Sequence, residues 1–243
     1  MNGDVHPTDL AAADRYATLW GRWALAAGAV FAALTAAVLT SETSRVPGDL
    51  PVHRLLLEHR TSGVVSALQT LTSTGTSVYP YLAAAAAGLI AVSAAGPWAA
   101  GRQPAFRAAV LCVAFAGWLA LGQTVRFTFM MAIARPRPPA EDWITEASRY
   151  SFPSGHATTS AMAAGLLLVA LFVRRPRACW LWVGLTVCWA VLVGISRVWL
   201  GVHWMSDVVA GWLLAAAWTF FGSAAAAVTG LLGVKPDRAK ITQ

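Results

Sequence analysis

Apolar runs of roughly helix-spanning length, separated by short polar interruptions, set the pattern of this chain. The first runs from Trp20 to Thr40, close to the ~20 residues a helix needs to cross a bilayer and too long for an ordinary signal-peptide core. Further runs cover about Ser77–Ala95, Ala105–Ile133, His156–Val173, Cys179–Ile195 and Asp207–Leu232. Gly96-Pro97 closes the second, and the Ala83–Gly88 stretch inside it allows a neighbouring backbone to come close. The pattern predicts an all-α, polytopic membrane protein: six transmembrane helices in a bundle, forming a single domain over residues 1–243 with no second domain or internal repeat. Between the first two runs, Ser41–Thr76 reads as a long polar connection. Pro47-Gly48-Asp49 supplies turn chemistry there, and Val52–Arg60 has the pattern of a short amphipathic helix lying on the membrane surface. The ends, Met1–Tyr16 and Gly233–Gln243, are polar.

Composition agrees with the pattern. The 243 residues are 57% hydrophobic and only 12% charged, about half the charge of a soluble domain. Cys112, Cys179 and Cys188 fall in or beside apolar runs, with no spacing that suggests a disulfide framework or a zinc site, and read as packing residues. The net charge of +7 fits loop arginines facing anionic headgroups of membrane lipids, and no aromatic-interleaved basic stripe points to nucleic acid. With the N-terminus inside, ten Lys and Arg fall on inner segments and eight on outer ones. Setting aside Arg135, Arg137 and Arg197, which have another use, leaves five outside. Arg174-Arg175-Pro176-Arg177, in a very short turn, is the clearest single mark of the inner side. This arrangement puts both termini in the cytoplasm and the polar islands on the outer face.

Those islands hold residues that a membrane-embedded segment normally excludes. Ser196–Asp207 carries Arg197, His203 and Asp207. If a helix begins near Val202, His203 and Asp207 stand four apart on one face, so the carboxylate can take a hydrogen bond from one ring nitrogen and aim the other outward as nucleophile or base. Pro153-Ser154-Gly155-His156 precedes the fourth run, making Ser154 a candidate N-cap and placing the amides of Gly155 and His156 at a helix N-terminus, where phosphate binds. Ala134–Pro139 places Arg135 and Arg137 just beyond the third run in a segment that proline keeps from continuing the helix. Three anion-binding elements thus stand at the ends of successive apolar segments.

These residues resemble the type 2 phosphatidic acid phosphatase superfamily, which includes lipid phosphate phosphatases and undecaprenyl diphosphate phosphatases. Ser196, Arg197, His203 and Asp207 match its third motif in full, and Pro153–His156 match its second. The first motif, a lysine six residues before Arg-Pro, is incomplete: Met130 stands at the lysine position counted from Arg137, and Thr128 counted from Arg135. Arg126, one turn before Met130, either reaches the site in the lysine's place or snorkels to the interface. The resemblance is specific over roughly residues 122–211.

The resemblance implies hydrolysis of a lipid phosphate or diphosphate at the outer membrane face, without metal or other cofactor, through a phosphohistidine. In that scheme His203 attacks phosphorus, Asp207 holds its ring and His156 protonates the leaving oxygen. Arg137, Arg197, Ser154, Gly155 and the His156 amide hold the phosphate, with Arg135 and Arg126 as further candidates for substrate contact. A bacterial plasma membrane is the expected location. Transfer of the phosphoryl group to another acceptor, or lipid-phosphate binding and transport without turnover, are the alternatives; metal binding by His156, His203 and Asp207 is disfavoured by the arginines around them.

Overall fold

The computed structural model describes residues 7–92, 99 and 101–229, and among them every regular element is helical. Among the described residues, five helices are long and apolar enough to cross a membrane. These are α1 (Pro7–Thr40), whose apolar part is Asp14–Thr40, α5 (Pro104–Ile133), α6 (Gly155–Arg174), α7 (Cys179–Trp199) and α8 (Met205–Val228). The shorter α2 (Asp49–Glu58), α3 (Ser62–Ser73) and α4 (Tyr79–Ala91) lie between α1 and α5. At about 1.5 Å per residue, the 13 residues of α4 reach about 20 Å, short of a hydrocarbon core of about 30 Å. The expected sixth span is therefore described only in part, because residues 93–95 of that run lie outside the described residues. So do residues 230–232 of the last run, the polar tail and the basic residues Lys235, Arg238 and Lys240.

Helix α6 forms the centre of the bundle, packing on α4, α7 and α8, while α1 runs along α8. Of its apolar window, 56% is buried, against 11% for α1 at the periphery. Outward-facing Leu25, Val113, Trp180 and Val228 are largely exposed, as lipid-facing side chains would be. The core joins Phe31 and Val38 of α1 to Leu111, Phe115 and Leu119 of α5, Met162 and Leu166 of α6, and Leu214 of α8. Phe31 meets Phe129 edge-on at 5.1 Å and stacks on Phe152 at 6.0 Å.

The small-residue run of α4 does what its composition suggests. A Cβ on Gly88 would stand 2.8 Å from the Cys112 Cα, so the backbones of α4 and α5 touch, and the Cys112 thiol donates to the Ala85 carbonyl at 3.4 Å. Gly88→Val is therefore expected to force the two helices apart and destabilise the protein by about 1–3 kcal/mol, read as a lowered melting temperature in detergent.

The connection after α1 holds more structure than expected. It contains two helices, and α2 packs against α7 and α8 and buries Asp49 and His53. The cause is polar, since both side chains have charged or hydrogen-bonding partners elsewhere in the chain. Helix α3 packs along α7, where a Cβ on Gly75 would collide with the Val193 side chain. Arg60, between the two helices, donates to the carbonyls of Trp199 and Asp142, each at 2.9 Å. His53 Nε2 meets Asp142 Oδ2 at 2.9 Å, so Asp142 anchors the 134–154 connection rather than standing free in solvent. That connection also leans on Gly201, where φ is +80° and a Cβ would lie 2.2 Å from the Asp142 carbonyl oxygen; both facts require glycine.

Candidate active site

Because α5 to α8 run alternately up and down, the end of α5, the start of α6, the end of α7 and the start of α8 meet at one end of the bundle. The Arg174–Arg177 turn lies at the other. Helix α8 begins at Met205, so His203 sits in the turn before it rather than on it. The pairing expected from the four-residue spacing survives, with His203 Nδ1 3.3 Å from Asp207 Oδ2. Asp207 occupies the N3 position of α8, and its Oδ2 also accepts the Trp204 amide at 2.9 Å, so one carboxylate caps the helix and holds the ring.

A carboxylate at Nδ1 makes that nitrogen the donor and leaves Nε2 with its lone pair. Arg137 Nη1, 3.0 Å away, faces this lone pair. The guanidinium is fixed there by the carbonyls of Val202 (2.7 Å), Ser148 (3.0 Å) and Tyr150 (2.9 Å). Burial, partly opposed by the Asp207 hydrogen bond and reinforced by Arg137 and Arg197, lowers the His203 pKa to about 4. The ring is thus neutral at physiological pH, and its Nε2 lone pair could act as a nucleophile once Arg137 turned to another acceptor. Burial also lowers the pKa of Arg137, with Asp207 acting in the opposite direction.

Among the buried polar atoms without a protein partner are the Ser154 hydroxyl and Arg197 Nε. Ser154 stands at the N-cap of α6 but makes no side-chain cap; its amide donates to the Asp207 carbonyl at 3.0 Å, fastening α6 to α8. Helix α8 approaches closely here because residue 211 is glycine, where a Cβ would stand 3.1 Å from the Ser154 carbonyl oxygen. Arg197, in the last turn of α7 and only 3% exposed, donates through Nη1 to Thr72 Oγ1 of α3 at 3.1 Å. Buried donors without a partner call for an explanation, and an anion held at this end of the bundle would give these two one.

Arg126 is half-buried, and a Cβ built on Gly155 would lie 3.5 Å from its Nη1, so the guanidinium stands at the first turn of α6 instead of reaching for the interface. Its Nη1 touches the sulfur of Met130, the residue at the family's lysine position, at 3.2 Å, and its Nε has no partner. His156, in the first turn of α6, is within electrostatic reach of Arg197, His203, Arg137 and Arg126. The two histidines, three of the arginines and the start of α6 are therefore one cluster.

Arg135 departs from the role expected of it. Its side chain is buried behind Asp207, where Nη1 bonds Asp207 Oδ1 and, at 2.8 Å, Ser206 Oγ; Nη2 bonds Asp49 Oδ2 at 2.7 Å and Nε the Ser44 carbonyl at 2.7 Å. With its donors committed to these partners, it braces the site from behind rather than lining the rim. Asp49 was read as turn chemistry because nothing local ties it to residues 86 and 157 positions away.

A helical membrane-type bundle with a polar, arginine-rimmed histidine pair at one end has the chemistry to hold an oxyanion beside a neutral imidazole. Comparison with known proteins identifies the family. The PAP2 superfamily model matches residues 80–228, more than half of the chain, and the chain belongs to this superfamily. It is 46% identical over 81 residues to an undecaprenyl-diphosphatase of Sulfolobus acidocaldarius, covering 33% of this chain and 35% of that protein. It is 35% identical over 144 residues to the decaprenylphosphoryl-5-phosphoribose phosphatase of Mycolicibacterium smegmatis, covering 57% of this chain and 70% of the relative. The match to the archaeal protein thus spans only about a third of its length. In structure, the fold resembles the transmembrane PAP2 type phosphatidylglycerolphosphate phosphatase of Bacillus subtilis, with a TM-score of 0.68 at 22% identity over 83% of this chain and 94% of that one.

Proposed function

We propose that the protein is an integral membrane lipid phosphatase that hydrolyses a phosphomonoester or diphosphate of a lipid, without a metal, through a phosphohistidine on His203. The observation that carries this reading is the arrangement around His203: Asp207 on one ring nitrogen, the Arg137 guanidinium on the other, and two unmatched buried donors, Ser154 Oγ and Arg197 Nε, in the same cluster. A lipid phosphate would take the place of the His203 ring as acceptor for Arg137 Nη1, freeing the Nε2 lone pair. His203 Nε2 then forms the N–P bond as the bond to the leaving oxygen breaks, and His156, carrying a proton taken up together with the phosphate anion, gives it to that oxygen. Neutral His156 next takes a proton from water, whose oxygen attacks phosphorus, releasing phosphate and restoring His203.

Throughout, Arg197, Arg137, Arg126 and Ser154, with the amides of Gly155 and His156 at the N-terminus of α6, offset charge on the equatorial oxygens. The named substrates of the two relatives above support a substrate with a lipid tail. We place the site at the outer face of a bacterial plasma membrane, with six spans and both termini in the cytoplasm, because the Arg174–Arg177 turn lies at the far end of the bundle.

Purified protein offered prenyl diphosphates, prenyl monophosphates, phosphatidate and phosphatidylglycerol phosphate in EDTA should release phosphate from at least one. Silence on all of them, or activity that EDTA removes, contradicts the proposal. Arg126 supplies a second test. If it does the work of the family's lysine, Arg126→Ala should lower kcat/KM by about 10²-fold, close to the loss in Arg137→Ala. A rate near that of the wild type would leave Arg126 a merely structural side chain.

A further inference from the structure

Asp49 belongs to α2, outside the part of the chain that matches the family model, yet it is joined to the nucleophile by an unbroken set of bonds. Its carboxylate is 2% exposed and accepts four hydrogen bonds. Oδ2 takes Arg135 Nη2 at 2.7 Å, Ser206 Oγ at 2.8 Å and the Val46 amide at 2.9 Å, while Oδ1 takes the Ser206 amide at 2.9 Å. Ser206 is in the first turn of α8, immediately before Asp207. Arg135 carries the connection further, from Asp49 through its guanidinium to Asp207 Oδ1, and Asp207 Oδ2 reaches His203 Nδ1.

Charge explains why two carboxylates are needed. If Arg135 faced Asp207 alone, the buried pair would be neutral, and the negative charge that orients and polarises the imidazole would be drawn toward the guanidinium. With Asp49 present, one cation lies between two anions and the trio keeps a net negative charge, which Asp207 presents to the ring. Holding the Ser206 amide and hydroxyl also fixes the turn that aims Asp207.

We propose that Asp49 is a positioning residue for catalysis: through Arg135 and Ser206 it sets the direction and charge with which Asp207 holds the nucleophilic ring of His203. This rests on the phosphatase reading for its kinetic consequence but not for its structural one. The resulting test has two arms, run on wild type, Asp49→Asn, Asp207→Asn and the double variant in detergent micelles. In the first arm, steady-state kinetics of Asp49→Asn should show kcat down by about 10-fold or more with KM within about 3-fold, the mark of an interaction felt in the reacting state. In the Asp207→Asn background the same change should add less than about 2-fold, because Asp49 acts through Asp207.

The second arm needs no turnover. Histidine-selective 15N NMR, with His203→Ala identifying the signal, should find His203 with its proton on Nδ1 in the wild type, and that proton's signal displaced in Asp49→Asn. A wild type that hydrolyses nothing would remove the phosphatase reading and leave this arm to decide the role of Asp49. An unchanged Nδ1 signal would overturn the proposal, whether or not the variant is less heat-stable, and so would effects of the two substitutions that multiply. If Asp49→Asn does not fold, Arg135→Lys, whose single ammonium cannot reproduce the guanidinium's paired bridge, should show the same loss of kcat and the same displaced signal. Wild-type behaviour in Arg135→Lys would overturn the proposal equally.

Discussion

His203→Ala is expected to lose turnover by about 10⁴-fold or more while still binding the lipid phosphate, because in the proposed mechanism it removes the attacking atom and leaves the arginines in place. The Nε2 atom is prepared for that role by two features of the fold. Asp207 fixes the tautomer from the other side of the ring, and burial keeps the imidazole unprotonated down to about pH 4. Equilibrium binding of a radiolabelled substrate should therefore change far less than kcat, within about 10-fold, since Arg126, Arg137, Arg197 and the α6 N-terminus supply most of the attraction. A variant that keeps even a few per cent of the wild-type rate would mean that water attacks the phosphorus directly.

His156→Ala should separate substrates by the chemistry of their leaving groups. A phosphomonoester of an alcohol must expel an alkoxide, a base of strength comparable to hydroxide, whose conjugate acid, water, has a pKa of about 15.7. A diphosphate expels a phosphate oxygen with a second pKa near about 6, which departs as an anion with little need of a proton. Loss of the general acid should then slow formation of the phosphoenzyme by about 10²–10⁴-fold on the monoester and much less on the diphosphate. The later step differs, since water needs a base to attack the phosphohistidine whichever lipid delivered the phosphate. With a diphosphate, His156→Ala should accordingly produce a rapid burst of leaving group followed by slow turnover. Equal losses on both substrates, with no burst, would assign His156 to phosphate binding instead of proton transfer.

How far the sequence foretold this arrangement depends on the range over which each feature is specified. Apolar runs of spanning length gave α1, α5, α6, α7 and α8 to within a few residues at most ends, because a bilayer constrains length and hydropathy locally. His203 and Asp207 could be paired from a spacing of four, although the ring stands in the turn before α8 and not on the helix. Ser154, Gly155 and His156 were legible as a helix start for the same local reason. Arg135 was not legible: beside Arg137 in one short segment it has the same chemistry, and only the fold turns one guanidinium to the ring and buries the other between Asp49 and Asp207.

The connection between α1 and α4 was hardest to read for a related reason. Helix α3 is rich in Ser and Thr and, at 12 residues, far short of a span, and Thr72 acquires meaning only when α3 lies beside α7 and its hydroxyl meets Arg197. Helix α2 has an amphipathic pattern suited equally to a membrane surface or a protein surface. Its contact with the protein is made by the polar face, where Asp49 and His53 find Arg135, Ser206 and Asp142 across separations of 86 to 157 residues. Periodicity carries no information about partners so distant.

The most direct examination of the central claim is to quench turning-over enzyme within milliseconds, digest it under alkaline conditions that preserve phosphohistidine, and locate the phosphate by mass spectrometry. The account requires a phosphorylated imidazole at His203, at higher occupancy in His156→Ala than in the wild type. Phosphate attached to another residue, or none in an enzyme shown in the same quench to be turning over, would contradict it.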